Sequence, residues 1–215
     1  MTPIYHITHI SNLAKIVAEN ALVCDDEAER RGLCNQSIAY SELKERRRIR
    51  QVEKLFFGHV AAGGVLSDYV PFYFANRSPM LYAIHTGQVP QFQGKQNDVV
   101  YLVSSAESVA ASGCPWCFTN GHAVEGVTEF YDDLKDLPQV NWAVINSWSW
   151  KNTLSEPDRK RLKQAEFLVH RSCPWTLVER IGVLNQSIAA QVREIIAGAA
   201  HQPAVTIEPN WYYNP

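Results

Sequence analysis

The stretch Lys160-Arg161-Leu162-Lys163-Gln164-Ala165-Glu166-Phe167-Leu168-Val169-His170-Arg171 changes character at its middle. Before Glu166 it is basic and polar, with the spacing of a helix or loop. After Glu166, Phe167-Leu168-Val169 is a short apolar run of strand type. The glutamate therefore stands at the mouth of an expected buried strand, close to several cations. A carboxylate is costly to bury unless it is paired or used. Taken alone, the stretch is satisfied by an ordinary ion pair between Glu166 and a neighbouring Arg or Lys.

Working outward, the chain alternates short strand and helix signals without regular order, which predicts an α+β fold in one domain spanning 1–215. Pro3 to Ile10 reads as a strand. Ser11 is expected to cap a helix through Leu13, Ile16 and Val17 that ends at Asn20. Cys24 to Asn35 is polar and reads as loop. Ser37 to Lys54 reads as a helix, and Gly58 to Asp68 as a flexible connector. Tyr69 to Phe74 reads as a strand that Pro71 assigns to an edge or to a strand beginning. Ser78-Pro79 starts a short helix. Asp98 to Val103 is a strand, followed by a helix that Ser104 or Ser105 caps. Thr128 to Leu134 is a possible helix in an otherwise irregular Cys117–Pro157 segment, of the sort that is usually functional or mobile. Val178 to Leu184 reads as a strand, Ser187 to about Ala199 as a helix and Val205-Thr206-Ile207 as a last strand. Trp211-Tyr212-Tyr213 is an aromatic tail expected to dock.

Composition narrows the function classes. Of 215 residues, 46% are hydrophobic, and 20 basic residues nearly balance 22 acidic ones, for a formal net charge of -2. This is a globular composition rather than a disordered one. Any contact to nucleic acid must come from a local patch, not from a general basic coat. No apolar run has the length of a membrane span, and Met1 to His6 lacks the pattern of a secretory signal. Five cysteines, an odd number, suit a reducing cytoplasm better than a disulfide scaffold.

Three motifs each have a bland and a sharp reading. Cys114-Pro115-Trp116-Cys117 has the form of a redox couple or half of a metal site, with Cys173 and His122 as possible further ligands. It lacks a second ligand pair at suitable spacing, and the structural reading is preferred. Lys44 to Arg50 carries five cations and one anion. Helical spacing puts Arg46 and Arg50 on one face and Arg47 on another, giving either a solvated face or a phosphate clamp. His6 and His9, three apart on a strand, point to opposite faces and make a poor metal pair. No Gly-rich phosphate loop of the familiar types is present.

In order along the chain, Thr2-Pro3-Ile4-Tyr5-His6-Ile7-Thr8-His9-Ile10, Ser37-Ile38-Ala39-Tyr40 with Lys44-Glu45-Arg46-Arg47, Asp68-Tyr69-Val70-Pro71-Phe72-Tyr73-Phe74 with Arg77-Ser78-Pro79-Met80-Leu81-Tyr82, and Lys163-Gln164-Ala165-Glu166-Phe167-Leu168-Val169 resemble the DarT family. These are bacterial DNA ADP-ribosyltransferase toxins neutralised by the macrodomain antitoxin DarG. The resemblance runs from Thr2 to about Asn185.

It implies an ADP-ribosyltransferase fold, with twisted, mostly antiparallel sheets forming an NAD-binding cleft among helices. It also implies a cytoplasmic enzyme that consumes NAD as a co-substrate, with no permanently bound cofactor and no metal. ADP-ribose passes to thymine in single-stranded DNA, and the expected partners are that DNA, NAD and a DarG-like antitoxin, with no membrane. Carried over by position, Glu166 and Arg47 are catalytic. His6, Ile7, Thr8, Val23, Arg47 and Tyr73 lie along NAD, with residues 37–54 as the NAD-binding helical element.

Residues about 121–165 correspond to the loop region that recognises the acceptor. There Trp150 matches the family's position, whereas the arginine before the glutamate block is Arg159 or Arg161, or is replaced by Lys160. Arg77, Met80, Trp150 and Lys160 are the nucleic-acid contacts implied. On this reading the cations just before Glu166 turn toward the nucleic-acid backbone, leaving Arg47 to work with the glutamate. Divergence in the acceptor region keeps other acceptors open: guanine, RNA, protein or water. A Cys-x-x-Cys redox or metal module is the third reading.

Overall fold

The computed structural model describes residues 1–54, 60 and 62–214. The strands are β1 (Pro3–His9), β2 (Ala21–Val23), β3 (Tyr69–Tyr73), β4 (Val99–Ser105), β5 (Trp116–Thr119), β6 (Phe130–Tyr131), β7 (Glu166–His170), β8 (Ser172–Pro174), β9 (Arg180–Val183) and β10 (Ala204–Ile207). The helices are α1 (Leu13–Glu19), α2 (Asp25–Arg30), α3 (Ser41–Ile49), α4 (Pro79–His85), α5 (Ala106–Ala111), α6 (Trp142–Asn146), α7 (Arg159–Leu162) and α8 (Gln186–Ile196). Eight strands form one sheet in the order β10-β9-β4-β1-β3-β7-β5-β6, and β2 pairs with β8 beside it. Within the large sheet only β9 and β10 run parallel; the other pairs are antiparallel.

The centre of the sheet is split. β1 pairs with β4 along its whole length, from Pro3↔Ser105 to His9↔Val99. On its other side it meets β3 only at Tyr5↔Tyr73. Pro71 sits two residues from that last contact and has no N–H to offer a ladder. Its carbonyl instead accepts a hydrogen bond from Nδ1 of His6 at 2.8 Å. The side chain thus bridges the opening that the backbones leave. This explains how Pro71, expected at an edge, occupies an interior strand: toward β1, β3 behaves as an edge, while toward β7 it pairs from Tyr69↔His170 to Tyr73↔Glu166.

Alternation distributes the core to both faces of the sheet. Val100, Leu102, Phe72, Phe74 and Phe167 join one cluster, which α8 covers with Ile188, Val192 and Ile196. Tyr5, Tyr101 and Val103 join the other, beneath α4 and the C-terminal Trp211, Tyr212 and Tyr213. Burying each large apolar side chain contributes about 1.5–3 kcal/mol, so β4, buried on both faces, anchors the sheet. The expected docking of the tail is observed. Trp211 lies so close to Gly182 that a Cβ there would fall 2.3 Å from the ring.

Several element boundaries differ from expectation. Asn20 ends α1 with φ 53°, as expected, but Ser11 lies in a 3-10 turn whose N-terminus His9 caps through its ring, and Asn12 precedes the helix. The polar segment after Cys24 holds α2, which buries no side chain and so leaves no apolar period to read. The helix expected over 37–54 is confined to Ser41–Ile49, between extended caps at Tyr40 and Arg50, and Ile38 packs into the core ahead of it. The connector from Gly58 to Asp68 lies partly outside the described residues; Gly63 and Gly64 adopt positive φ. No helix forms over Thr128–Leu134. Phe130–Tyr131 pairs with β5, and a 3-10 turn begins at Leu134. The short strands β2, β5 and β8 were not expected.

Candidate active site

Splaying β1 from β3 opens a cleft of about 790 Å³, counted to its open mouth, a size suited to a small-molecule ligand. His6, Ile7, Thr8, Val23, Arg47, Tyr73 and Glu166 all line it, together with Met80. Each of the expected NAD contacts is therefore brought to one cavity. Beyond Tyr5 the β1 edge facing β3 carries no ladder, so its backbone groups are open to a bound molecule. Tyr73 projects into the cleft while Phe72 and Phe74, on the opposite face, are packed in the core. Burial pushes the Tyr73 phenol well up, reinforced by the charge of Glu166, so it is present as the neutral phenol.

Glu166 begins β7 and is buried, and its two carboxylate oxygens have different partners. Oε2 accepts from Nη1 of Arg47 at 2.8 Å. Oε1 accepts from the Ala123 backbone N–H at 3.2 Å. Its own N–H donates to Thr119 Oγ1 at 3.0 Å, which ties the strand start to β5. Both ion-pair side chains are below a tenth exposed. Burial draws the Arg47 guanidinium down, but the carboxylates of Glu166 and Asp25 outweigh it and hold the cation above its ordinary value. Nη2 of Arg47 donates to the Leu66 carbonyl at 3.3 Å. Its Nε is buried with no partner among the described residues. A polar ligand in the cleft would satisfy that donor, so the residues present fit an anionic dinucleotide.

The rest of α3 positions the loop that completes the site. Arg50 donates from Nε to the Ala123 carbonyl at 3.3 Å, and its guanidinium lies over the Phe130 ring. Arg46 pairs with Glu125 at 3.1 Å. Ala123, whose N–H binds Glu166, is thus held through its carbonyl by the residue that ends the helix carrying Arg47. Beside it, His122 is kept neutral: burial lowers it, and the nearby Glu166 charge only partly offsets this. Arg48 is engaged by Glu45, Glu29 and Asp26. Helical spacing separated the faces as expected, but α3 is not a free phosphate clamp.

The cations before Glu166 are a correction. Arg159 pairs with Glu156 and binds Ser147 Oγ and the Ser149 carbonyl. Arg161 forks onto Asp158 and reaches Thr128. It lies against Gly121, where a Cβ would fall 2.2 Å from its Nη1. Lys163 is buried and donates to the carbonyls of Ile145 and Ser147, both at 2.6 Å. These three hold the protein's own loop and are not presented to a nucleic-acid backbone. Lys160 is exposed, and its side chain makes no ion pair among the described residues.

The four expected nucleic-acid contacts do not share one place. Met80 lines the cleft, where Tyr73 Oη donates to its sulfur at 3.5 Å. Arg77 lines a second cavity. Trp150 packs edge-on against Tyr82, and neither it nor Lys160 lines either cavity.

Cys114 and Cys117 are not a couple. Cys114 packs against the cluster under α8, whereas Cys117 is buried in the one around Tyr69 and Leu168. Burial holds the Cys117 thiol well up and that of Cys173 at about 12, which leaves both unreactive. No group of three or more metal-ligating side chains occurs among the described residues.

Sequence reasoning missed Asn12, Asp25, Gln36 and Ala123. Asn12 Oδ1 accepts from the N–H groups of Asn35 and Gln36, and its amide donates to Thr8, so it fastens one cleft wall to β1. A polar residue directly after an expected strand and helix start was the available signal. Ala123 acts through its backbone, which no side-chain pattern announces.

A sheet split at its centre, with a buried glutamate at the start of the strand beyond the split, defines an ADP-ribosyltransferase-type enzyme. The family model for "ssDNA thymidine ADP-ribosyltransferase, DarT" matches residues 5–213. A DNA ADP-ribosyl transferase of Thermus sp. (strain 2.9) is 41% identical over 99% of this chain and 96% of its own. One from Escherichia coli O127:H6 is 32% identical over 72% of this chain and 71% of its own. The structure of Thermus sp. 2.9 DarT in complex with ADP-ribosylated ssDNA superposes with TM-score 0.90 at 40% identity, covering 99% of this chain and 96% of that one. Its complex with NAD+ gives 0.86 at 38% identity, covering 99% and 98%. The chain belongs to the DarT family of NAD-dependent DNA ADP-ribosyltransferases.

Proposed function

We propose that this protein transfers ADP-ribose from NAD to a thymine base in single-stranded DNA, releasing nicotinamide, as the toxin of a cytoplasmic toxin–antitoxin pair restrained by a macrodomain antitoxin. The observation that carries the reading is the buried Arg47–Glu166 pair at the floor of the split-sheet cleft. The Thermus relative that supports it has been seen with both NAD+ and ADP-ribosylated ssDNA. The chain works as one domain, with 37–54 facing NAD and about 121–165 facing the acceptor.

In this reading His6, Ile7, Thr8 and Val23 hold NAD along the open edge of β1, and Tyr73 offers a flat face to the nicotinamide. Breaking the nicotinamide–ribose bond sends its electron pair to the leaving nicotinamide and leaves an oxocarbenium-like ribose. Glu166, already held by Arg47 and Ala123, stabilises that charge with little reorganisation. A ring nitrogen of thymine then bonds the anomeric carbon and gives up its proton, for which Glu166 is the base in reach. Arg47 orients Glu166 and supplies its free Nε to the dinucleotide. The base must be unstacked, so single strands are the natural acceptor. Met80 contacts the unstacked base, while Arg77, Trp150 and Lys160 contact the strand around it.

Incubation with NAD and thymine-containing oligonucleotides should raise the DNA mass by one ADP-ribose. Glu166→Ala should lower the rate by about 10³-fold, the scale for removing a group that stabilises transition-state charge. Nicotinamide release that ignores DNA, with no oligonucleotide mass shift, would assign the activity to another acceptor.

A further inference from the structure

Two carboxylates stand in the walls of the NAD cleft, Glu166 and Asp25, and they are not equivalent. Both oxygens of Glu166 are engaged, one by Arg47 and one by the Ala123 N–H. Asp25 is the first residue of α2, and its side chain is 34% exposed. Its carboxylate accepts no hydrogen bond among the described residues. Its ion pair with Lys44 is long, at 3.9 Å, because the Lys44 ammonium donates to Glu29 at 3.1 Å instead. The acidic neighbours are otherwise occupied and do not line the cleft: Asp26 accepts from Ser67 at 3.0 Å, and Glu27 is paired with Arg30 and Arg31. The first turn of α2 thus turns one unbonded carboxylate toward the ligand.

That arrangement is selective by its chemistry. An ionised carboxylate can only accept. In a cleft that takes a pyrophosphate, it repels the ligand unless the ligand offers it donors. Ribose hydroxyls are such donors, and their bonds to an ionised acceptor are of the stronger class. A phosphate in place of a hydroxyl would instead set like charges together, a repulsion that discriminates between otherwise similar ligands. Lys44 does not reverse this, since it is shared between Asp25 and Glu29.

Matching donors to acceptors decides which ribose is meant. Against the burial that draws Arg47 down, Glu166 and then Asp25 hold it charged, so both carboxylates act on the cation whose Nε is left for the dinucleotide. The pyrophosphate lies between two riboses. With Glu166 at the nicotinamide ribose and Arg47 at the pyrophosphate, the remaining carboxylate meets the remaining diol. An acidic residue on the adenosine ribose is also how dinucleotide sites of other folds distinguish NAD from its 2′-phosphate. We propose that Asp25 is a specificity-determining residue, which accepts the 2′-hydroxyl of the adenosine ribose of NAD and excludes NADP. The proposal rests on the placing of Glu166 at the nicotinamide ribose given above.

The test is direct binding, without DNA, of NAD, NADP and two NAD analogues, one 2′-deoxy in the adenosine ribose and one 2′-deoxy in the nicotinamide ribose. The unaltered protein should bind NAD at least about tenfold more tightly than NADP or the adenosine-deoxy analogue, the scale of one hydrogen bond to a charged group. Asp25→Asn, of the same shape, should weaken NAD severalfold, strengthen NADP and so reduce the preference about tenfold. Asp25→Ala should bind NAD and the adenosine-deoxy analogue equally. A preference against NADP that survives in Asp25→Ala, or NADP bound as tightly as NAD by the unaltered protein, overturns the assignment. If the Asp25→Ala penalty vanishes with the nicotinamide-deoxy analogue instead, Asp25 serves the other ribose and the assignment is again overturned. These outcomes leave transfer to DNA untouched, whereas failure to bind NAD at all would remove the cleft from the proposed reaction.

Discussion

Two basic segments of this chain look alike as sequence and do different work. In α3 and its C-cap, Lys44 to Arg50 sends one arginine inward to the glutamate and two toward the loop that touches it. In α7 and the turn after it, Arg159 to Lys163 directs its buried or half-buried cations onto neighbouring carbonyls and carboxylates of residues 145–158. The difference lies in what each cation meets. Arg47 finds a carboxylate at a strand start with a cleft beside it, whereas Lys163 finds the carbonyl ends of α6. A run of positive charge thus contributes to the site where the fold leaves a donor free beside the cleft, as at Arg47 Nε, and serves as a scaffold where its cations meet only the protein's own loops.

The largest test of this contrast is Arg47→Ala. It leaves Glu166 buried without its cation and should cost about 3–5 kcal/mol of stability, measured by urea unfolding, along with nearly all activity. Replacing both partners with methionine should restore much of the stability but none of the activity. A single variant as stable as the parent would remove the pair from the account.

A smaller effect is expected from Lys163→Met, read through pH. Burial lowers Lys163 to about 8, with Arg159 and Arg77 adding to the shift. An unfolded lysine titrates near 10.4. Between these values the unfolded chain holds more protons, so the cost of keeping Lys163 charged, full below pH 8, is relieved as pH rises. Stability relative to Lys163→Met should therefore climb from about pH 8 to about pH 10.4. Parallel stability curves for the two proteins across that window would contradict the assignment of Lys163 as a buried loop anchor.

The smallest effect belongs to Arg46→Ala. Its pair with Glu125 is half exposed on both sides and should contribute under about 1 kcal/mol. If thermal unfolding showed a much larger loss, the loop over Glu166 would depend on Arg46 rather than on Arg50.

Much of the frame was legible in the residues. The apolar run after Glu166 is the interior strand β7, and Ser78-Pro79 and Ser105 start their helices as such residues do. These features are local: alternation, capping and the geometry of proline act within a few residues and survive in any fold. The resemblance carried by the four ordered blocks also named the residues that meet in the cleft. Less legible were α2, which buries nothing, and β5, whose strand character comes from pairing with β7.

The sequence by itself determined an α+β chain with a carboxylate at the start of a buried strand, and it set Arg47 apart from Arg46 and Arg50 by helical spacing. Only the tertiary structure decided that β1 and β3 part beyond a single residue pair, that Arg47 reaches across 119 positions to Glu166, and that Arg159 and Arg161 of α7 are engaged within the protein. Those outcomes depend on which distant carbonyls and carboxylates come within hydrogen-bond reach. Desolvation makes a partner obligatory for a buried charge, but only the assembled fold supplies one.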